Sequence, residues 1–307
     1  MALGAVAVVL PILALLMLQP DFSSAVIYFP VLVSMLFCAG ANRGHILAMT
    51  GCGGVALALT LLWAWSSVAP EGGSRLPVVS YLIALSHSGV LALLTALGIF
   101  LGAWGAYKLS GRMRFQFPPL YFFVTASVLV IGLCSAVLIN RHIKYYQRSR
   151  FLAFLAPEAD PRQAGYNVNQ ALVAIGSGGL KGKGVFSGTQ SQLGFLPERH
   201  TDFIFAVVGE EMGFIGTVSV LGLYLLLLSR IIQTARLSRD RYGYLVCAGL
   251  AAMFGFYGLI NVGMCVGLLP VAGLPLPLVS YGPSGLVANF WALGIVGNIY
   301  SKRYAFI

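Results

Sequence analysis

The stretch Phe203-Ile-Phe-Ala-Val-Val-Gly-Glu-Glu-Met-Gly-Phe-Ile-Gly-Thr-Val-Ser-Val-Leu-Gly-Leu-Tyr-Leu-Leu-Leu-Leu-Ser229 decides the fold class. It is apolar for longer than the roughly 20 residues a helix needs to cross the hydrocarbon core of a bilayer. Comparable runs lie at about 2–18, 23–39, 46–65, 80–107, 119–138, 242–265 and 284–300. Backbone in lipid must satisfy its own hydrogen bonds, and the alternating pattern of a transmembrane strand is absent, so these runs read as helices. The expected fold is all-α, a polytopic membrane bundle of about eight transmembrane helices forming a single domain, 1–307, with a large extracytoplasmic loop at 139–202.

Composition points the same way. The 307-residue chain is 58% hydrophobic and 9% charged, with mean hydropathy +0.86; a soluble domain carries about 25% charged residues. The net charge of +10 comes from basic residues scattered between the apolar runs. That distribution fits basic cytoplasmic loops and anionic head groups, and argues against nucleic-acid binding, which wants a dense patch. The five cysteines (Cys38, Cys52, Cys134, Cys247 and Cys265) lie in or at the ends of apolar runs without a CxxC pair, and read as small packing residues. The segment from Met1 to Leu18 lacks the basic residues that open a signal peptide, so the visible start is expected to be internal to a longer protein.

Charge asymmetry sets the orientation. Arg43, Lys108, Arg112, Arg114, Arg230, Arg236, Arg239, Arg241, Lys302 and Arg303 fall on one set of loops and the tail, whereas the opposite set carries Arg75. The positive-inside rule places the first set and the C-terminus in the cytoplasm, and segment 139–202 outside. That segment holds much of the charge of the chain, yet keeps Tyr145, Tyr146, Phe151, Phe154, Tyr166, Phe186 and Phe195, a composition that argues against disorder.

Four pieces of polar sequence hold the candidate chemistry. In His142-Ile-Lys-Tyr-Tyr-Gln-Arg-Ser-Arg150, basic residues alternate with tyrosines, as in an interfacial segment near phosphate head groups. Ile175-Gly-Ser-Gly-Gly-Leu-Lys-Gly-Lys-Gly184 reads either as a flexible loop or as a backbone cradle for an anion with Lys181 and Lys183 beside it; its spacing is not that of a Walker A loop. In Leu196-Pro-Glu-Arg-His-Thr-Asp-Phe-Ile-Phe205, Thr201 or Asp202 reads as a helix cap, and Asp202 also as a carboxylate at the membrane–water boundary able to act as general base. Glu210 and Glu211 follow about 12 Å deeper along a helix. Carboxylates in a span must face a polar cavity or pair with a base, and structural pairing is expected for at least one. Leu269-Pro-Val-Ala-Gly-Leu-Pro-Leu-Pro-Leu-Val-Ser-Tyr-Gly-Pro-Ser284 is charge-free and rich in proline, which predicts a re-entrant or tightly packed segment with Ser280, Tyr281 and Ser284 as polar handles.

Taken in order, these pieces resemble the SEDS family of cell-wall polymerases (shape, elongation, division and sporulation), most of all its RodA branch. The resemblance rests on Gln19-Pro20-Asp21, Tyr146-Gln147 with Arg150, Asp160-Pro161 and Gly165-Tyr166. It continues through 174–184, Gly188-Thr-Gln190, 196–205 with Glu210-Glu211, Asn261-Val-Gly263 and 274–282. It implies a bacterial plasma-membrane peptidoglycan glycosyltransferase that polymerises lipid II into β-1,4 glycan strands during elongation, working on undecaprenyl-pyrophosphate-linked glycan beside a class B penicillin-binding protein. The resemblance makes Asp202 the catalytic base, with a divalent cation, Mg or Mn, assisting. Substrate contacts are expected from Arg148, Arg150, Lys181, Lys183, Gln190, His200, Thr201, Glu210, Glu211, Ser280 and Tyr281. Against the family pattern, spans before Gln19 are fewer, the runs 80–107 and 119–138 read as an added pair, and Pro283 replaces a common glycine. A lipid II flippase and a non-catalytic scaffold for a penicillin-binding protein are the alternative readings.

Overall fold

The structure, a computed structural model, describes residues 2–18, 22–66, 81, 84–85, 88–112, 118–142, 150, 154 and 164–304. Gln19-Pro20-Asp21, Arg75, Arg114, Tyr145 to Arg148, Phe151 and Asp160-Pro161 lie outside the described residues. The helices are α1 (Ala2–Leu18), α2 (Phe22–Cys38), α3 (Arg43–Ser66), α4 (Gly89–Arg112), α5 (Pro119–His142), α6 (Ala164–Gly178), α7 (Thr189–Gln192), α8 (Ile204–Leu237), α9 (Arg241–Cys265) and α10 (Pro283–Ser301), the last closing in a 3-10 turn. Among the described residues there is no strand. Among the described residues, five helices (α3, α4, α5, α8 and α9) are long and apolar enough to cross a membrane. The chain is a multi-pass helical membrane protein.

The helices sort into two compact units. Asn42–Leu155 holds α3, α4 and α5. Its core is Trp63, Leu85, Leu133, Ala136 and Val137. Close approach of α3 and α5 depends on Gly132, where a Cβ would come within 2.8 Å of Val55. Helix α4 begins later than the apolar run at 80–107 implies, because Ser88 caps it: the Leu91 N–H donates to Ser88 Oγ at 3.2 Å.

The other unit joins Met1–Ala41 to Ala156–Ile307. Helices α8, α9 and α10 share a core of Ile231, Ala235, Cys247, Phe254, Ala292 and Val296. The Tyr224 hydroxyl, on α8, donates to the Phe254 carbonyl of α9 at 2.8 Å. Arg241, at the start of α9, donates to the Ala39 carbonyl after α2 at 2.7 Å, and Asp240 caps α9. Pro283 is the first residue of α10, where its fixed φ suits the helix and its missing N–H costs nothing.

A second core in this unit positions the polar loops. Val168, Ala171 and Ala174 of α6 pack with Leu196, Phe203, Phe205 and Ala206 at the head of α8, and with Met264, Cys265 and Val271. Helix α6, 15 residues long, therefore lies within what the sequence presents as polar loop, and takes Gly176 and Gly178 of the glycine-rich run into its last turn.

Candidate active site

Helix α8 is broken at Gly213, whose φ of 67° and ψ of −162° belong to no helix. Glycine is required here: the backbone sits at positive φ, and a Cβ would run into the Gly182 nitrogen and the Leu180 carbonyl. The break frees backbone groups, and the loop after α6 satisfies them. Lys183 and Gly184 N–H donate to the Glu210 and Glu211 carbonyls, each at 3.0 Å; Phe214 and Ile215 N–H donate to the Gly179 and Leu180 carbonyls at 2.9 and 3.2 Å. The stretch 214–237 is about 36 Å long at about 1.5 Å per residue, enough to cross the roughly 30 Å hydrocarbon core without the residues before the break. Glu210 and Glu211 thus need not lie in hydrocarbon, unlike carboxylates within one continuous span.

Both carboxylates hold the loop. Glu210 is fully buried and accepts from Lys183 Nζ at 2.9 Å, the Thr189 hydroxyl at 3.1 Å, and the Gln190 and Ser191 N–H groups at 2.8 and 3.0 Å. Glu211 accepts from the Phe186 N–H at 3.0 Å and the Ser191 hydroxyl at 3.3 Å. Lys183, whose side chain is 28% exposed, forms an ion pair with Glu210. The N–H groups of Gly182, Lys183 and Gly184 all bond to carbonyls, so this glycine run serves close backbone packing, with Gly178 against Gly209 and Gly182 against Glu211. Lys181 remains exposed.

The second cluster surrounds Asp202. Thr201, Asp202 and Phe203 N–H converge on the Glu198 carbonyl at 3.2, 3.1 and 3.3 Å, a tight turn ahead of α8 with Glu198 at φ 52°. Three successive carbonyls of that turn are held from elsewhere. His200 O accepts from the Tyr281 N–H at 2.8 Å, Thr201 O from the Ser280 hydroxyl at 2.6 Å, and Asp202 O from Asn261 Nδ2 at 2.8 Å. Ser280 Oγ in turn accepts the Leu276 N–H at 2.7 Å. Leu274, Leu276 and Ser280 are buried, so 269–284 is packed against the α8 head, not solvated. Asp202 is half-buried, while Phe203 and Phe205, which follow it, are buried.

The capping reading of Asp202 and Thr201 gives way here. The N-cap of α8 is Phe203 with no side-chain cap, and the Thr201 hydroxyl donates to Glu198. His200 and Tyr281 are exposed, and Arg199 Nε bonds to His200 Nε2 at 3.0 Å. The structure thus gathers His200, Thr201, Asp202, Ser280 and Tyr281 in one cluster, and Lys183, Gln190, Glu210 and Glu211 in another. Arg150 is half-buried in the unit Asn42–Leu155, and Arg148 is outside the described residues. Thr189, Ser191 and Asn261 also enter the clusters; Thr189 and Asn261 lie in motifs that carry the resemblance but were not among the expected substrate contacts, and Asn261 in an otherwise apolar helix was the available signal. Among the described residues no group of three or more His, Cys, Asp or Glu converges that could by itself hold the expected Mg or Mn.

A multi-pass helical protein with a broken helix stitched to a polar loop and a carboxylate on a clamped turn defines a class: membrane proteins that present a polar site at the end of their spans. Residues 113–305 match the family model of the FtsW, RodA and SpoVE cell cycle proteins, and the chain belongs to that family. It is 35% identical over 295 residues to the peptidoglycan glycosyltransferase RodA of Treponema pallidum, covering 95% of this chain and 66% of that protein. It is 51% identical over 158 residues to the peptidoglycan glycosyltransferase MrdB of Escherichia coli K12, covering 52% of this chain and 43% of the other. The chain therefore spans less than two thirds of the length of these relatives. A solved peptidoglycan synthase complex aligns with 99% of this chain and 91% of its own, at 26% identity and a TM-score of 0.48.

Proposed function

We propose that this chain is the catalytic part of a peptidoglycan glycosyltransferase that polymerises lipid II into β-1,4 glycan strands, in elongation and shape maintenance. The observation that carries the reading is the Asp202 turn, whose three consecutive carbonyls are fixed by Tyr281, Ser280 and Asn261. A general base must hold its geometry while the reacting groups approach, and a clamped turn at the head of a long span supplies that. The kinship with glycosyltransferases named RodA and MrdB supports the same chemistry.

In this reading a growing strand on undecaprenyl pyrophosphate is the donor and lipid II the acceptor. Asp202 takes the proton of the acceptor GlcNAc 4-hydroxyl as that oxygen attacks the anomeric carbon of the donor. The C–O bond to pyrophosphate breaks with inversion, and undecaprenyl pyrophosphate leaves with the bonding electrons. Lys183 is already paired with Glu210, so Lys181 is the nearer candidate to offset the leaving group's charge. The loop asymmetry in Lys and Arg supports a cytoplasmic C-terminus and an extracytoplasmic site. A class B penicillin-binding protein is the partner proposed to cross-link the product. The test is strand formation from lipid II by the purified full-length protein with that partner. Length-resolved polymer is expected; lipid II moved between leaflets without any polymer would favour a flippase instead.

A further inference from the structure

We infer that Asn261 is a positioning residue for Asp202, acting through the Asp202 carbonyl; this rests on the glycosyltransferase reading above. Asn261 is fully buried in α9, and its Nδ2 donates to two carbonyls, Asp202 O at 2.8 Å and Leu274 O at 2.6 Å. Its Oδ1 is buried and has no hydrogen-bond partner. That asymmetry identifies what the side chain is for. Both groups it faces are acceptors, so only an NH2 can serve them together. Turning the amide over would aim an oxygen at two oxygens, so the orphan Oδ1 follows from keeping both donors on the turn and the loop. A buried acceptor left without a partner is unfavourable, and it persists here because the two carbonyls are worth holding.

The carbonyls it joins belong to different parts of the site. Asp202 O lies on the turn before α8, and Leu274 O at the start of the packed segment that also supplies Ser280 and Tyr281. Asn261 is thus the tie between α9, the Asp202 turn and that segment. Cys265, one turn further along α9, directs its thiol at the same Asp202 carbonyl at 3.8 Å, too weak a donor to replace the amide. Loss of the amide leaves the fold of α9 intact but releases the peptide on which the Asp202 side chain is mounted. A misplacement of about 1 Å of a catalytic group costs about a hundredfold in rate.

The experiment uses the full-length protein with its partner and lipid-linked disaccharide, and compares wild type with Asn261→Asp, Asn261→Ala and, as control, Asp202→Asn. Asn261→Asp keeps volume and replaces the donors by acceptors. Rates are normalised to sites that bind labelled lipid II. The expected result is a fall in kcat of about 10- to 100-fold with KM changed by less than about twofold. A residue of merely structural importance would lower the number of binding-competent molecules and leave kcat per site unchanged; that result overturns the proposal, as does a loss confined to KM. Should neither variant fold, Asn261→Ser, which keeps one donor, is read by the same criteria, and failure of all three to fold also overturns it. Failure of the underlying reading is separately visible: wild type would make no polymer, or Asp202→Asn would polymerise normally.

Discussion

Replacing Glu210 by glutamine tests whether the carboxylate clips the loop to α8. Four donors converge on it, one of them the Lys183 ammonium, which is partly exposed. Glutamine keeps the shape but removes the charge, and its NH2 must face either the Ser191 N–H or the Lys183 side, where it meets another donor. Breaking a buried pair costs about 3–5 kcal/mol, and the exposure of Lys183 argues for the lower end, about 3 kcal/mol. The loss should appear locally, since the helices on either side keep their own cores. Amide hydrogen exchange read by mass spectrometry on peptides across 183–192 should accelerate by about a hundredfold, while peptides within 244–262 stay unchanged. Exchange across 183–192 that remains within about threefold of wild type would show that Glu210 does not hold the loop.

Three further outcomes follow from the same geometry. Gly213→Ala meets both positive φ and contact with Gly182 and Leu180; its backbone conformation, essentially reserved for glycine, alone costs about 1–3 kcal/mol, so monodisperse protein on size exclusion should fall sharply, and ordinary yield would refute the need for a break. Ser88→Ala should cost about 1 kcal/mol, seen as faster exchange of the first turn of α4 but not of α5. Tyr224→Phe removes a buried hydroxyl bond to Phe254 and should cost about 1 kcal/mol, read as a lower melting temperature with kcat unaltered.

The apolar runs made the helices legible, because a chain in lipid has few alternatives to helix. Their ends were less so. Ser88 starts α4 well inside an apolar run, since a cap competes with hydrophobicity for the boundary. Helix α8 continues to Leu237, past Ser229 and Arg230, because its last turns bury Ile231 and Ala235 in the core with α9 and α10. Helix α6 was hidden by its glycines: the face Val168, Ala171, Ala174 is helical in spacing, but Gly176 and Gly178 read as loop until the close packing of Gly178 against Gly209 of α8 is seen. The break at Gly213 was not legible at all. Gly209, Gly216 and Gly222 look equivalent in sequence, and what separates Gly213 is a loop from elsewhere that bonds to the opened backbone. Asp202, Ser280 and Tyr281 could be singled out as polar residues at the ends of spans; that they meet through backbone carbonyls, with Asn261 completing the set, is a property of the fold alone.

The role of Asp202 is tested most directly by the rate of glycosidic bond formation by Asp202→Asn, in the full-length protein with its partner, at matched folded and lipid II-binding fractions. A general-base role for Asp202 predicts a loss of at least about a hundredfold with binding retained, since a positioned base contributes about 10²–10⁴-fold. A rate within about threefold of wild type would contradict it and remove the carboxylate from the chemistry.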